Sequence, residues 1–178
     1  MKILRILLYV ILVVVAVALI AAAMLPKKMN LESEIVINKP INEVYNFVKV
    51  LENQKYYSKW VMQDPNVKVT YNGTDGTVGA YSSWESKMDD VGVGEQEIIG
   101  MVENERIDYE LRFKVPFEAT DTAYTTFEVI DSTHTKVTNG FRSKMPFPMN
   151  IMLPMVEKML AEDLAGNMRR LDSVMMSR

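Results

Sequence analysis

Residues Ile6 to Leu25 run for 20 positions without a charged side chain (ILLYVILVVVAVALIAAAML), bracketed by Lys2 and Arg5 before the run and Lys27 and Lys28 after it. At about 1.5 Å per residue a helix of that length reaches about 30 Å, the depth of a bilayer's hydrocarbon core, and it satisfies its backbone polar groups internally. The segment therefore reads as one membrane span. The competing reading is a secretory signal, because Lys2 and Arg5 form a positive start and Ala21-Ala22-Ala23 a small-residue cleavage pattern. Signal cores are shorter, about 7 to 15 residues, and the Val-rich centre closing on Pro26 and two lysines favours an anchor. The basic residues flanking the two ends nearly cancel. The orientation adopted is that of a single-pass protein of a bacterial inner membrane, amino terminus inside and domain outside.

The expected division is an anchor with its short connector over residues 1–28 and one folded domain over 29–178, a length that supports a sizeable core. Beyond residue 28 the chain carries 16 Lys and Arg against 23 Asp and Glu, a formal net charge of −7. That balance argues against a nucleic-acid partner. It also implies weak repulsion from anionic headgroups, so membrane proximity is expected from the helix and from apolar contacts. With no cysteine there is no disulfide, thiolate nucleophile or zinc–thiolate site.

Lys27 to Asn30 reads as a very short connector. Glu32 to Ile37 alternates polar and apolar residues before an apolar end, the pattern of a half-buried strand. Pro40 then suits the first turn of a helix carrying Val44, Phe47, Val48 and Leu51 at helical spacing. A second short helix or turn is expected over Glu52–Trp60. Six strands follow at hairpin spacing, Val67–Tyr71, Gly79–Lys87, Val93–Val102, Arg106–Phe113, Thr122–Ile130 and Thr135–Phe141, separated by turn signals such as Asn72-Gly73. Ile107, Tyr109, Leu111 and Phe113 alternate with Asp108, Glu110, Arg112 and Lys114, giving one dry and one wet face. The cover for the dry face is expected from Asn150 to Met176, where Leu153, Val156, Leu160, Leu164, Met168, Leu171 and Val174 form one stripe and Pro154 falls in the first turn.

The local motifs in this order resemble the START-like, or SRPBCC, superfamily, which includes polyketide cyclase/dehydrase-like and lipid-transport proteins. Ile35-Val36-Ile37-Asn38-Lys39-Pro40-Ile41-Asn42-Glu43-Val44-Tyr45 looks like the opening strand, proline and helix of that family. Trp60 with Asp64-Pro65 looks like the turn after that helix, Gly76 to Glu85 like the glycine turn into an aromatic strand, and Thr133 to Thr138 like the last hairpin. The resemblance covers about Leu31 to Val174. It implies an α+β helix-grip fold, a curved antiparallel sheet wrapped on the long last helix, with a cavity between them that takes a hydrophobic ligand. It implies little about chemistry, because this fold hosts carriers, enzymes and regulators.

His134 is the single histidine and reads as a surface turn, so neither a catalytic triad nor a nitrogen-ligand metal site is expected. Asp89-Asp90, Glu95 with Glu97, and Glu103 with Glu105 read as solvated residues rather than acid/base couples. Asn72-Gly73-Thr74 matches a glycosylation sequon and reads as a turn. Fourteen methionines are present, eight of them between Met145 and Met176. A Cu(I) site of thioethers is the minor reading of this cluster; an adaptable apolar lining and ordinary core filling are the major ones. The loop Met145-Pro146-Phe147-Pro148-Met149-Asn150 reads equally as a gate lying on the bilayer and as a buried connector.

The expected ligand lining is Phe47, Trp60, Trp84, Tyr109, Leu111, Phe113, Phe127, Asn139 and Phe141 from the front of the chain and the sheet. Met152, Met155, Val156, Met159 and Leu160 add to it from the last helix, with Asn139 and Tyr109 as polar anchors. No catalytic residue, cofactor or metal is assigned. The expected function is membrane-anchored binding of a lipid, isoprenoid or polyketide-like molecule. A cyclase/dehydrase-type enzyme is the alternative, and a regulator of a membrane or chaperone complex the second. A titratable group inside the pocket would favour the enzyme; strand parity makes the inward faces almost wholly apolar, which favours binding.

Overall fold

A computed structural model describes residues 2–178. The uncharged run lies in helix α1 (Lys2–Met24), long and apolar enough to cross a membrane, with almost every residue exposed and Ala22 buried. Strand β1 (Lys28–Ile37) follows three residues later. The expected connector over Lys27–Asn30 is thus shorter than the sequence suggested, because Lys28, Met29 and Asn30 already pair with Lys144, Ser143 and Arg142.

After β1 the chain forms α2 (Ile41–Val48), a 3₁₀ turn (Leu51–Tyr56) and α3 (Lys59–Met62). This helical passage crosses from one edge of the sheet to the other. The meander then runs through β2 (Lys68–Asn72), β3 (Tyr81–Glu85), β4 (Val93–Val102), β5 (Arg106–Val115), β6 (Ala119–Val129) and β7 (Thr135–Lys144). All neighbours are antiparallel in the order β1-β7-β6-β5-β4-β3-β2. The register of β4 against β5 shifts at Val93/Gly94 and again at Ile98/Gly100. Such irregularities bend and twist a sheet. Gly73, at φ +80°, takes the left-handed conformation just after β2, so Asn72-Gly73 is a turn.

The polypeptide closes with a 3₁₀ turn (Met149–Met152) running into α4 (Leu153–Met176), with Pro154 in the first turn, where its missing N–H is tolerated. The result is the helix-grip α+β fold: a seven-stranded antiparallel sheet with a long carboxy-terminal helix. One core cluster joins Ile37, Val44, Val48, Leu51, Ile98, Ile107, Val137 and Leu171, each at most 2 % exposed. Burying side chains of this size contributes about 1.5–3 kcal/mol each. A polar clamp fixes α3 to α4. Lys59 Nζ donates to Asp163 at 2.5 Å, the Lys59 N–H to Asn167 Oδ1 at 2.8 Å, and Arg170 Nε to the Tyr57 carbonyl at 3.1 Å.

Candidate functional site

Strand register decides which side chains share the face toward α4. Ile35, Val137 and Phe127 occupy one level, Ser33, Asn139, Thr125, Ile107 and Met101 the next, and Leu31, Phe141, Ala123, Tyr109 and Ile98 a third, nearer α1. Leu111, Gln96 and Ser82 continue the inner face toward the β2 edge, followed by Phe113, Gly94 and Trp84. Trp84 lies across Gly94, where a Cβ would overlap its ring. It meets Phe113 edge-on, with centroids 5.9 Å apart, and its Nε1 donates to the Val91 carbonyl at 3.1 Å.

The face divides along its length. Phe47, Tyr109 and Phe127 are buried in the closed core, Phe47 among Tyr56 and Tyr57, and Phe127 edge-on to Tyr45. Trp84, Leu111, Phe113 and Phe141 of the sheet, and Val156 and Leu160 of α4, are only half-buried. These apolar side chains are less buried than those of the closed core. Trp60 is half-buried on α3. Met152, Met155 and Met159 stand 41 %, 67 % and 47 % exposed.

Two concavities, of about 350 and 380 Å³, stand out. One is lined by Arg112, Phe113, Lys114, Glu118, Ala119 and Thr120 at the β5–β6 end, the other by Leu4, Arg5, Leu7, Leu8 and Ile11 on α1. Both are open surface features, and α4 lines neither.

The inner face carries more polarity than strand parity suggested. Asn139 Nδ2 donates to Thr125 Oγ1 at 3.1 Å and to the Tyr124 carbonyl at 3.3 Å, and the Tyr109 hydroxyl bonds to Thr125 as well. The expected anchors Asn139 and Tyr109 therefore meet through a third residue that the sequence reading passed over. Burial pushes the Tyr57 and Tyr109 phenols up, so neither gives up its proton near neutral pH.

Asp121, at the start of β6, is buried on the same face, opposite Leu111 and beside Ser143. Desolvation raises its pKa above the ordinary 3.8, against the opposing pull of the Ser143 hydroxyl and the Lys144 N–H. The expectation of an almost wholly apolar inner face is thus corrected: a titratable carboxyl lies on it. β6 starts at Ala119 and β7 runs to Lys144, whereas apolar patterning ends these strands at Thr122 and Phe141. Continuing the alternation of Phe127, Thr125 and Ala123 by one step reaches Asp121.

On the outer face, Arg112 Nη1 pairs with Glu97 at 2.8 Å and Glu110 at 2.7 Å, and both Arg112 Nε and Lys114 pair with Glu95. Glu95 and Glu97 thus belong to a surface ion-pair network. His134 Nδ1 lies 2.9 Å from Asp131 beside the β6–β7 turn. Asp131 is held down at about 2, first by the Thr133 N–H and then by His134.

Asn150 is fully buried at the junction with α1. Its Nδ2 donates to the carbonyls of Ala22 at 2.6 Å, Leu25 at 3.2 Å and Pro26 at 3.4 Å, and the Met145 N–H donates to the Lys27 carbonyl at 3.0 Å. The Asn150 amide therefore caps the end of α1, where helix carbonyls lack intrahelical donors. No sequence motif marks that role.

No protein-family profile matches this sequence, and neither does any curated protein. Solved structures do share its fold. The protein Ara h 8.0201 aligns at TM-score 0.56 and 13 % identity over 85 % of this chain and 99 % of that one. TTHA0849 from Thermus thermophilus aligns at 0.59 and 16 % over 84 % and 98 %. The di-domain ARO/CYC protein StfQ of the steffimycin biosynthetic pathway aligns at 0.62 and 10 %, over 85 % of this chain and 52 % of that protein. At such identities the likeness is one of fold.

Proposed function

We propose that this chain is a membrane-anchored, SRPBCC-type binding protein that holds a hydrophobic small molecule, such as a lipid, an isoprenoid or a polyketide-like chain, between its sheet and the first half of α4. The observation that carries the reading is the half-burial of Trp84, Leu111, Phe113 and Phe141 on the inner face of the sheet and of Val156 and Leu160 on the first half of α4. A ligand covering them gains about 0.8 kcal/mol per buried CH₂, so a chain of about ten methylenes needs little polar recognition. Asp121 and Ser143 supply a polar terminus to that surface.

The anchor reading of residues 6–25 is supported by the Asn150 cap. A signal cleaved at Ala21–Ala23 would remove the Ala22 carbonyl, the shortest of the three Asn150 contacts, and leave its amide only the longer ones to Leu25 and Pro26. Tethering would keep the domain at high local concentration beside its ligand source.

The enzyme reading gains one specific observation, the Asp121 carboxyl, whose raised pKa favours a proton donor. The experiment that tests the proposal is uptake of a fluorescent fatty acid by the full chain in detergent, with native mass spectrometry of whatever co-purifies. Leu160→Trp should fill the space and abolish uptake with little change in Tm; unchanged uptake would place the ligand elsewhere. A co-purifying molecule recovered intact supports binding, whereas conversion by loss of water that stops in Asp121→Asn supports a dehydrase-type enzyme.

A further inference from the structure

The end of the domain beside α1 is apolar in an unusual way. The Asn150 cap reaches Ala22, two residues before the end of α1 and thus about 3 Å of helix rise from it. Met149, Ile151 and Met152 flank Asn150 in sequence and are 40–42 % exposed, Phe147 is 46 % exposed, and Met155, one turn into α4, is 67 % exposed. The β5–β6 turn reaches the same end, because Asp121 bonds to Ser143 and the Lys144 N–H, and Lys144 pairs with Lys28. Its tip carries Phe117, 69 % exposed. Exposed Lys27, Lys28 and Lys144 stand at this level, and none forms an ion pair among the described residues. The acidic domain is therefore locally basic where it meets α1.

We propose that this rim, Phe117, Phe147, Met149, Ile151, Met152 and Met155, is seated in the headgroup boundary of the bilayer that α1 spans, so that the space between sheet and α4 opens onto the membrane and exchanges its ligand with it laterally. The inference rests on the anchor reading of residues 6–25. The partner follows from position and chemistry: a cap that fixes the rim at the last turn of a spanning helix places its apolar side chains at the depth where interfacial helices bury theirs, about 5–10 Å into the headgroup and acyl boundary. Lysines beside them meet phosphates. Large apolar side chains exposed together at one end of a domain are a liability against water, whereas against lipid they contribute binding.

The absence of cysteine makes the test direct. Single cysteines at Phe117, Phe147 and Met155, and controls at Val13 in α1 and Ser132 in the β6–β7 turn, are labelled with an environment-sensitive fluorophore in the full chain. Each is reconstituted in phosphatidylcholine vesicles containing lipid with a nitroxide near the headgroup or at mid-chain. The expected result is strong quenching at 117, 147 and 155 by the shallow nitroxide, at Val13 by the deep one, and none at Ser132. Quenching at Val13 with none at the three rim positions would overturn the docked rim while leaving the anchor standing. Absence of quenching at Val13 would overturn the anchor and the rim together. As a second readout, Phe117→Glu with Phe147→Glu should slow transfer of a fluorescent fatty acid from vesicles to protein at least tenfold while leaving uptake from detergent unchanged; an equal rate from vesicles would overturn lateral exchange.

Discussion

The two halves of α4 obey the same spacing and have different fates. In the second half Met168, Leu171 and Met175 are at most 3 % exposed and join the cluster with Ile37, Val44, Phe47 and Tyr57. In the first half only Leu153 among the apolar residues is buried; Val156, Leu160 and Leu164 are half-buried, and Met155 and Met159 face outward. Periodicity selects the face of a helix, but what stands opposite decides how deep that face goes. The second half has α2 and the 3₁₀ turn to close the core, whereas the first half has the sheet, the junction with α1 and, at its end, the Lys59–Asp163 pair. One helix thus closes the core at one end and leaves apolar side chains half-exposed at the other, where the proposed ligand would lie.

The strongest way to break this comparison is to truncate one residue from each half. Leu171→Ala removes a fully buried side chain and should cost about 2–5 kcal/mol in denaturant unfolding. Met155→Ala should stay within about 0.5 kcal/mol of the parent. Equal losses at the two positions would mean that the first half is as closed as the second.

Next in size is the junction. Asn150→Ala strips the donors from the carbonyls of Ala22, Leu25 and Pro26, which should cost about 1–3 kcal/mol because Ala22 is fully buried. Hydrogen exchange of the full chain should accelerate over the end of α1 and residues 145–150, with little change around Leu171. Uniform acceleration across both halves of α4 would show that the cap supports the whole fold rather than the α1 end.

The element order, the seven strands and the covering helix were legible in the sequence, because alternation in β5 and the three-and-four spacing of α4 are direct consequences of burial on one face. Their edges were less so. Apolar patterning stops where side chains turn polar, and backbone pairing does not: β6 continues to Ala119 and β7 to Lys144, which hid Asp121 and Ser143 from the inner face. The expected lining mixed buried Phe47, Tyr109 and Phe127 with half-buried Leu111 and Phe141 and exposed Met155, since composition cannot tell a core position from a groove or a rim. Asn150 gave no signal, because its partners are backbone carbonyls of residues about 125 positions away.

The subtlest contrast is electrostatic and belongs to the open half alone. Asp121 has its folded pKa raised above 3.8 by burial. Its contribution to stability is therefore fully present below that ordinary value and is lost as the pH rises through the raised one. Asp121→Asn has no such proton to lose. The variant should match the parent in acid and gain on it as the pH rises to neutrality. Paired urea titrations across that window measure the difference directly. A ligand that covers Leu111 and Phe141 would deepen the desolvation of Asp121, raise its pKa further and move the gain to higher pH. An apolar ligand that leaves the window unmoved would lie clear of Asp121, and the polar terminus assigned to the site would then belong to the fold and not to recognition.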